Sequence, residues 1–380
     1  MNIHFLYRKG SLYLLLALFL SSCEEPYSPE VLEASNNFLV VSGFINSNGP
    51  TTIKLSRTQN LSDNSAPAFV TDAEVKVEAD NGAAFLLQET SDGTYTSGTL
   101  PINVNQQYRL TININGKRYA SDYVAVKQTP AIDEVSWQLV DDKVLFQVTT
   151  HDAQNDTRYY RWEFEETWEY NAYFFSVIEF VDGELVTRPE ENNIYLCWRN
   201  NNSSNINISN TIKLSQDVVS KFPLYSIPLN SEKFARKYSV LVKQYAQTKE
   251  SYQYWESLKK NTESIGTLFD PLPTQLTGNI RNTTDPSEPV IGYIHVSSVS
   301  EKRIFLKQTE LPYVYRAPSV SCTLDTVAVE EVPEYFSGGS NLPVGPIYTE
   351  SGTLIGYSGA WRSCVDCRIF GTTTRPSYWQ

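Results

Sequence analysis

Between Phe38 and Lys127 apolar and polar residues alternate with a period of two, and that pattern admits β-structure and little else. Ala73, Val75, Val77 and Ala79 interleave with Glu74, Lys76 and Glu78, while Tyr108, Leu110, Ile112 and Ile114 interleave with Arg109, Thr111, Asn113 and Asn115. Successive side chains on a strand point to opposite faces, so each stretch can wet one face and bury the other. Asn81-Gly82, Asp92-Gly93 and Asn115-Gly116 punctuate the runs and supply the positive φ angles that tight hairpins need. About seven short strands with no intervening helical pattern predict an immunoglobulin-like or transthyretin-like β-sandwich over residues 38–128.

Gln128-Thr129-Pro130 reads as a junction, and residues 129–310 as a larger, less regular second β domain. It opens with Ile132 to Val140, an Asp141-Asp142 turn, and alternating Val144, Phe146 and Val148. Strand-like runs follow near 158–169, 173–181, 194–198, 206–214 and 238–247, then near 290–299 and 303–308. One segment departs from this pattern. Over 249–261, Tyr252, Trp255 and Leu258 fall on neighbouring helical turns, with Glu250 at the start and Lys259 and Lys260 at the end, as the helix dipole favours. A rigid loop, Phe269-Asp270-Pro271-Leu272-Pro273, comes after it. Residues 311–380 are dense in Pro, Gly, Ser and Thr and predict a coil that cysteines pin to the second domain. The expected fold class is therefore mainly β, with one short helix and a stapled C-terminal coil.

The first 22 residues read differently. Arg8 and Lys9 precede a ten-residue apolar run from Ser11 to Leu20, too short to cross ~30 Å of hydrocarbon, so this is the core of a signal peptide (1–22). Leu20-Ser21-Ser22-Cys23 resembles a bacterial lipobox, which makes Cys23 the expected site of lipidation and the membrane the expected partner of its acyl chains. Residues 23–37 form a polar tether that starts Cys23-Glu24-Glu25-Pro26. Acids at this position resemble a cell-surface export signal, and the expected location is the outer membrane.

Removing Arg8 and Lys9 with the leader leaves 29 basic against 43 acidic residues, a net charge of −14. Such a field repels phosphate backbones and excludes nucleic acid as the expected partner. Cys197, Cys322, Cys364 and Cys367 remain after Cys23. In an oxidising envelope four cysteines read as two disulfides, with three connectivities open. Cys364-Val365-Asp366-Cys367 also has zinc-knuckle spacing, but His151 and His295 are isolated and no second ligand pair is in sequence reach. No metal and no cofactor are expected.

Candidates for chemistry each have a plainer reading. Gly356-Tyr357-Ser358-Gly359-Ala360 approaches the nucleophile elbow but lacks its strand-to-helix context. His151-Asp152-Ala153-Gln154-Asn155-Asp156 offers oxygens for calcium but reads as a hairpin tip. Glu163 with Glu165 or Glu166 could pair for glycoside hydrolysis, or form an acidic strand face. Ser337-Gly338-Gly339-Ser340 lacks the lysine and helix of a phosphate loop. Tyr159 to Phe175 holds nine aromatics in seventeen residues. Trp162, Trp168 and Tyr170, with Tyr254 and Trp255, are the candidate interaction surface, against the alternative of a strand covered on both faces.

Cys23-Glu24-Glu25-Pro26-Tyr27 and the run Phe38 to Ile45 resemble the start of a family of Bacteroidota lipoproteins with a domain of unknown function, of DUF4249 type. Tyr254-Trp255, Phe269-Asp270-Pro271 and Gly278-Asn279-Ile280 are similar to its middle, and Cys364, Asp366, Cys367, Arg368, Gly371, Pro376 and Trp379 to its end. The resemblance implies a lipoprotein working beside a TonB-dependent receptor, as a capture or lid subunit. The expected function is thus a non-catalytic interaction or ligand-capture subunit in nutrient uptake. Two alternatives stand beside it: an envelope enzyme or carbohydrate- or peptide-binding protein acting independently, and a structural or adhesive surface protein.

Overall fold

The computed structural model describes residues 37–59, 68–263, 276, 278–312 and 321–379. The signal peptide, Cys23, the tether before Asn37 and the Phe269–Pro273 loop lie outside the described residues. The first unit contains β1 (Leu39–Asn46), β2 (Pro50–Arg57), β3 (Glu74–Ala79), β4 (Ala84–Ser91), β5 (Thr94–Thr99), β6 (Gln107–Ile114), β7 (Lys117–Ser121) and β8 (Val124–Lys127). The alternation is realised in full: Val75, Val77 and Ala79 on β3 and Tyr108, Leu110, Ile112 and Ile114 on β6 are buried, with their interleaved polar neighbours turned outward. Asn115 and Gly116 take φ of 51° and 84° in the β6–β7 hairpin, the left-handed pair that matches strand twist.

The second unit is built from two facing sheets. β9 (Ile132–Val140), β10 (Lys143–Asp152) and, later in the chain, Asp217–Pro228 form a three-stranded face. Asp141 and Asp142 join β9 to β10 at φ of 45° and 57°. β11 (Tyr159–Asn171) heads the opposing face; β12 (Ile178–Val181) and β13 (Glu184–Thr187) make a separate hairpin. β14 (Leu196–Asn202) and β15 (Asn207–Asn210) pair with one edge of β11, β16 is the strand Asp217–Pro228, and β17 (Lys237–Ala246) pairs with the other edge of β11. Between the faces, Phe146 of β10 stacks on Tyr225 of β16 at 4.9 Å, and Phe164 of β11 meets the same ring at 3.8 Å. Helix α1 (Lys249–Glu263) follows, extending two residues past the predicted span.

A single cut near residue 128 proves too simple. β18 (Ile280–Asn282), β19 (Val290–Ile291) and β20 (Val296–Ser297) return to the first unit, where β18 pairs with β7, and β19 and β20 run parallel to β1. Because β20 also pairs with β8 and β8 with β6, the sheet closes on itself around the core. Closure removes unpaired edges that would invite aggregation. Strands of two or three residues carry no readable periodicity, so the sequence could not reveal this return. The chain recrosses at Ser298, beside the first crossing: the Thr129 hydroxyl donates to the Ser298 carbonyl at 2.5 Å, and the Thr129 N–H donates to the Ser298 hydroxyl at 2.8 Å. β21 (Val299–Lys307) then completes the face of β14, β11 and β17.

His295 sits where the units meet, only 2% exposed, with neither ring nitrogen hydrogen-bonded among the described residues. It stacks on Phe44 of β1 at 5.1 Å and meets Tyr245 of β17 edge-on at 6.1 Å. Burial, and then the Arg161 guanidinium, hold its pKa well below the ordinary value, so the folded ring is neutral. Below about pH 6.5 the unfolded chain takes up a proton here and the folded chain does not, and stability therefore falls as pH drops. His295→Phe keeps the stacking shape and is expected to flatten that slope. Thermal unfolding at about pH 7 and about pH 5 checks it; equal slopes in parent and variant would contradict the assignment.

The C-terminal segment is more regular than its composition suggests. β22 (Asp325–Val327), α2 (Val332–Ser337), β23 (Asn341–Tyr348), β24 (Leu354–Trp361) and α3 (Arg362–Val365) replace the expected coil, with β24 between β22 and β23. Pro343, Gly345, Pro346 and Gly356 had masked the strand pattern, and the β23–β24 pairing accommodates them through register shifts. Cys197 bonds Cys367 and Cys322 bonds Cys364, so the two cysteines of the zinc-knuckle spacing serve separate disulfides. Asp366 between them is fully buried, accepting from the Arg368 N–H at 3.0 Å and Nε at 2.8 Å. Burial pushes its carboxyl up, but these contacts prevail and hold it below the usual range.

Candidate ligand cleft

Thr248 starts α1 as a cap, its hydroxyl accepting from the Ser251 N–H at 3.1 Å. Residues three and four apart share a helix face, which puts Glu250, Gln253, Tyr254 and Ser257 on one stripe. That stripe forms one wall of a cleft of about 640 Å3, facing Asp122 and Tyr123 in the β7–β8 connection and Val124 and Ala125 of β8, with Asn279 and Tyr293 also lining it. The volume lies within the roughly 300–1,000 Å3 typical of small-molecule sites, which favour junctions between units.

The opposite wall is held rigidly. Asn279 donates to the Ile294 carbonyl and accepts from the Ile294 N–H, each at 2.8 Å, while its own carbonyl accepts from the Asp122 N–H at 2.8 Å. Gly278 must lack a side chain, because a Cβ there would lie 1.8 Å from the Gly292 carbonyl oxygen. These constraints explain Gly278-Asn279-Ile280 structurally. Tyr254 and Tyr293 rings lie 5.3 Å apart. Tyr254 is 8% exposed, and burial alone raises its pKa; its hydroxyl makes no hydrogen bond among the described residues.

Of the five aromatic residues expected at an interaction surface, Tyr254 alone opens on this cleft. Trp162 is core, its indole N–H donating to Gln244 Oε1 at 2.8 Å. Trp168 is also buried, beneath Lys233 at 5.0 Å and Arg199 at 5.6 Å. Tyr170 is half-buried and donates to the Cys367 carbonyl at 2.6 Å, burial pushing its pKa up to about 12. Trp255 lies under the Arg161 guanidinium at 4.3 Å. The reason is strand parity: Tyr160, Trp162, Phe164, Trp168 and Tyr170 all occupy even positions of β11 and pack on the core between sheets. Tyr173 and Phe175, past the end of β11, are the exposed members, at 52% and 59%.

Phe175 and Tyr195 wall a second groove of about 640 Å3. Its polar floor is already engaged: Arg188 donates to Ser176 Oγ at 3.3 Å, Glu179 at 3.0 Å and the Ile178 carbonyl at 3.1 Å, and Arg236 to Glu169 at 2.7 Å. Asn171 on its wall keeps a buried Oδ1 without a partner among the described residues, and the two clefts differ in that the one under α1 is lined by no cationic side chain.

The remaining sequence candidates are occupied by structural contacts. Glu163 bonds Arg161 at 2.5 Å and the Tyr245 hydroxyl at 2.8 Å; burial raises its carboxyl, but these partners bring it below the usual value. Glu165 pairs with Lys243 at 2.5 Å, and Glu166 lies on the opposite, core face of β11. Asp152 accepts from the backbone of Gln154, Asp156 and Thr157, fixing the turn after β10, and His151 pairs with Asp133 at 2.8 Å. Gly356 to Ala360 is part of β24, and Ser337 to Ser340 spans the end of α2. Among the described residues no group of three or more His, Cys, Asp or Glu is placed to hold a metal, and no helix is long and apolar enough to cross a membrane. Tyr123, Gln253, Ser257 and Tyr293 escaped sequence analysis, since they come from separated segments with no shared motif.

A family model described as a domain of unknown function, DUF4249, matches residues 24–303, a span that ends before the C-terminal cysteines. No curated protein matches the chain.

Proposed function

The chain belongs to the DUF4249 family, and on that premise we propose that it is a non-catalytic capture subunit, lipid-anchored at the outer membrane and working with a TonB-dependent receptor. The observation that carries the capture reading is the cleft under α1, where Tyr254, Gln253, Ser257 and Glu250 face open space with no hydrogen bond to other described residues. Gln253 and Glu250 are exposed and Ser257 half-buried, so their polar groups are open to whatever enters the cleft. The engagement of Glu163, Glu165 and Glu166 in ion pairs supports a binding role over a hydrolytic one. Anchoring rests on the Leu20-Ser21-Ser22-Cys23 junction, and the receptor on the resemblance of the chain's ends and middle to lipoproteins encoded beside such receptors.

Two experiments test it. Cys23→Ala is expected to abolish incorporation of labelled palmitate and release the protein from the membrane fraction, because acyl chains supply the membrane affinity. Retention of both label and membrane binding would refute the anchor. Purification of the tagged, lipidated protein in mild detergent, with mass spectrometry of what stays bound, is expected to recover a TonB-dependent receptor in comparable amount. Recovery of the lipoprotein alone would overturn the partnership.

A further inference from the structure

We infer that the cleft beneath α1 is a saccharide site for a neutral, hydroxyl-rich ligand; the inference rests on the capture reading and names its cargo. The Tyr254 ring is buried, while its hydroxyl reaches the open cleft rather than the core, where a phenol would need a protein partner. Here it finds none among the described residues, and the side chain lines the cleft. The free hydroxyl needs either water or a ligand group.

The donor set selects the ligand class. Tyrosine and serine hydroxyls and the glutamine amide each donate and accept, as sugar hydroxyls do, whereas a cation calls for acceptors and an anion for donors. No lysine, arginine or histidine lines the cleft, which disfavours anions. Of its two acids, Asp122 is already paired with Arg281 at 2.6 Å, which leaves Glu250 as the one unpaired carboxylate for a cation among the lining residues. Tyr293 and Tyr123, the latter with the Arg109 guanidinium 4.7 Å from its ring centre, add ring surface against which the apolar C–H face of a sugar can rest. The fixed Asn279 wall and the capped start of α1 preorganise these groups, so little ordering cost falls on binding.

The test uses the full lipidated protein in a detergent without a sugar headgroup. Calorimetry would cover a broad panel of neutral oligosaccharides, with trilysine and citrate as charged probes. Tryptophan fluorescence would follow the same titrations, since Trp255 lies 5.7 Å from the Tyr254 ring. The expected result is binding of at least one neutral saccharide and of neither charged probe, weakened about tenfold by Tyr254→Phe and by Gln253→Ala, the loss of one hydrogen bond. Unchanged circular dichroism and melting would certify that the variants are folded. Binding of trilysine or citrate that Tyr254→Phe abolishes, saccharide binding indifferent to both substitutions, or no saccharide binding at millimolar concentration would each overturn the inference. Receptor recovery is scored separately. A receptor without saccharide binding refutes only the ligand class, and saccharide binding without a receptor refutes only the partnership.

Discussion

Cys197→Ala/Cys367→Ala is expected to lower the free energy of unfolding by about 5 kcal/mol, and Cys322→Ala/Cys364→Ala by about 4 kcal/mol, the values for the chain entropy released in the unfolded state. The order follows from loop length, 170 residues against 42 in sequence separation. Beyond the global effect, the Cys197–Cys367 bond fastens the C-terminal segment to β14. Around it the Cys367 N–H donates to the Ile194 carbonyl at 2.9 Å, the Trp198 N–H to the Thr372 carbonyl at 2.8 Å, and the Trp379 indole to Glu169 at 3.0 Å. Losing the staple should therefore expose residues after 340 to protease before the rest of the molecule unfolds. Urea titration under non-reducing conditions, with limited proteolysis, measures both effects. If the shorter loop proved the more costly to open, chain entropy would not be the main source of the stabilisation.

Glu166 predicts the second large effect. It is 3% exposed in the core of the second unit, accepting from Lys233 Nζ at 2.6 Å, the Tyr238 hydroxyl at 2.6 Å and Asn201 Nδ2 at 3.0 Å. The Tyr238 hydroxyl also meets that of Tyr225 at 2.7 Å, and burial raises both phenols well above their ordinary pKa. Glu166→Met should cost about 3–5 kcal/mol, because Lys233 would be left without its counter-charge above Trp168. Glu166→Met/Lys233→Met should recover the part of the loss owed to the unpaired ammonium, while Asn201 still lacks this acceptor and the Tyr238 hydroxyl keeps only Tyr225. A double-mutant cycle in chemical denaturation decides the matter: strictly additive costs would mean that the two side chains are not coupled.

Much of the β architecture could be read directly, because strand parity is a local property. The interleaved residues of β3 and β6, the Asn115-Gly116 and Asp141-Asp142 turns and the polar ends of α1 each signal their structure within a few positions. The same parity rule was available for β11 and assigns its tryptophans to the core. The dense aromatic run concealed this, because Tyr159, Tyr173 and Phe175 occupy odd positions at and beyond the strand's ends. In the C-terminal segment, proline and glycine hid β23 and β24, whose irregular pairing tolerates them.

By itself the sequence determined a β-rich chain, its hairpin turns, the helix α1 and a cysteine set able to form two bonds. Local alternation and backbone preference suffice for all of these. Tertiary structure alone decided which of three pairings the cysteines adopt, that residues 280–297 close the first sheet, and that Tyr123, Gln253, Tyr254 and Tyr293 share one cleft. These features join residues far apart along the chain, where proximity arises from packing both units around Ser298 and His295 and leaves no mark on neighbouring residues.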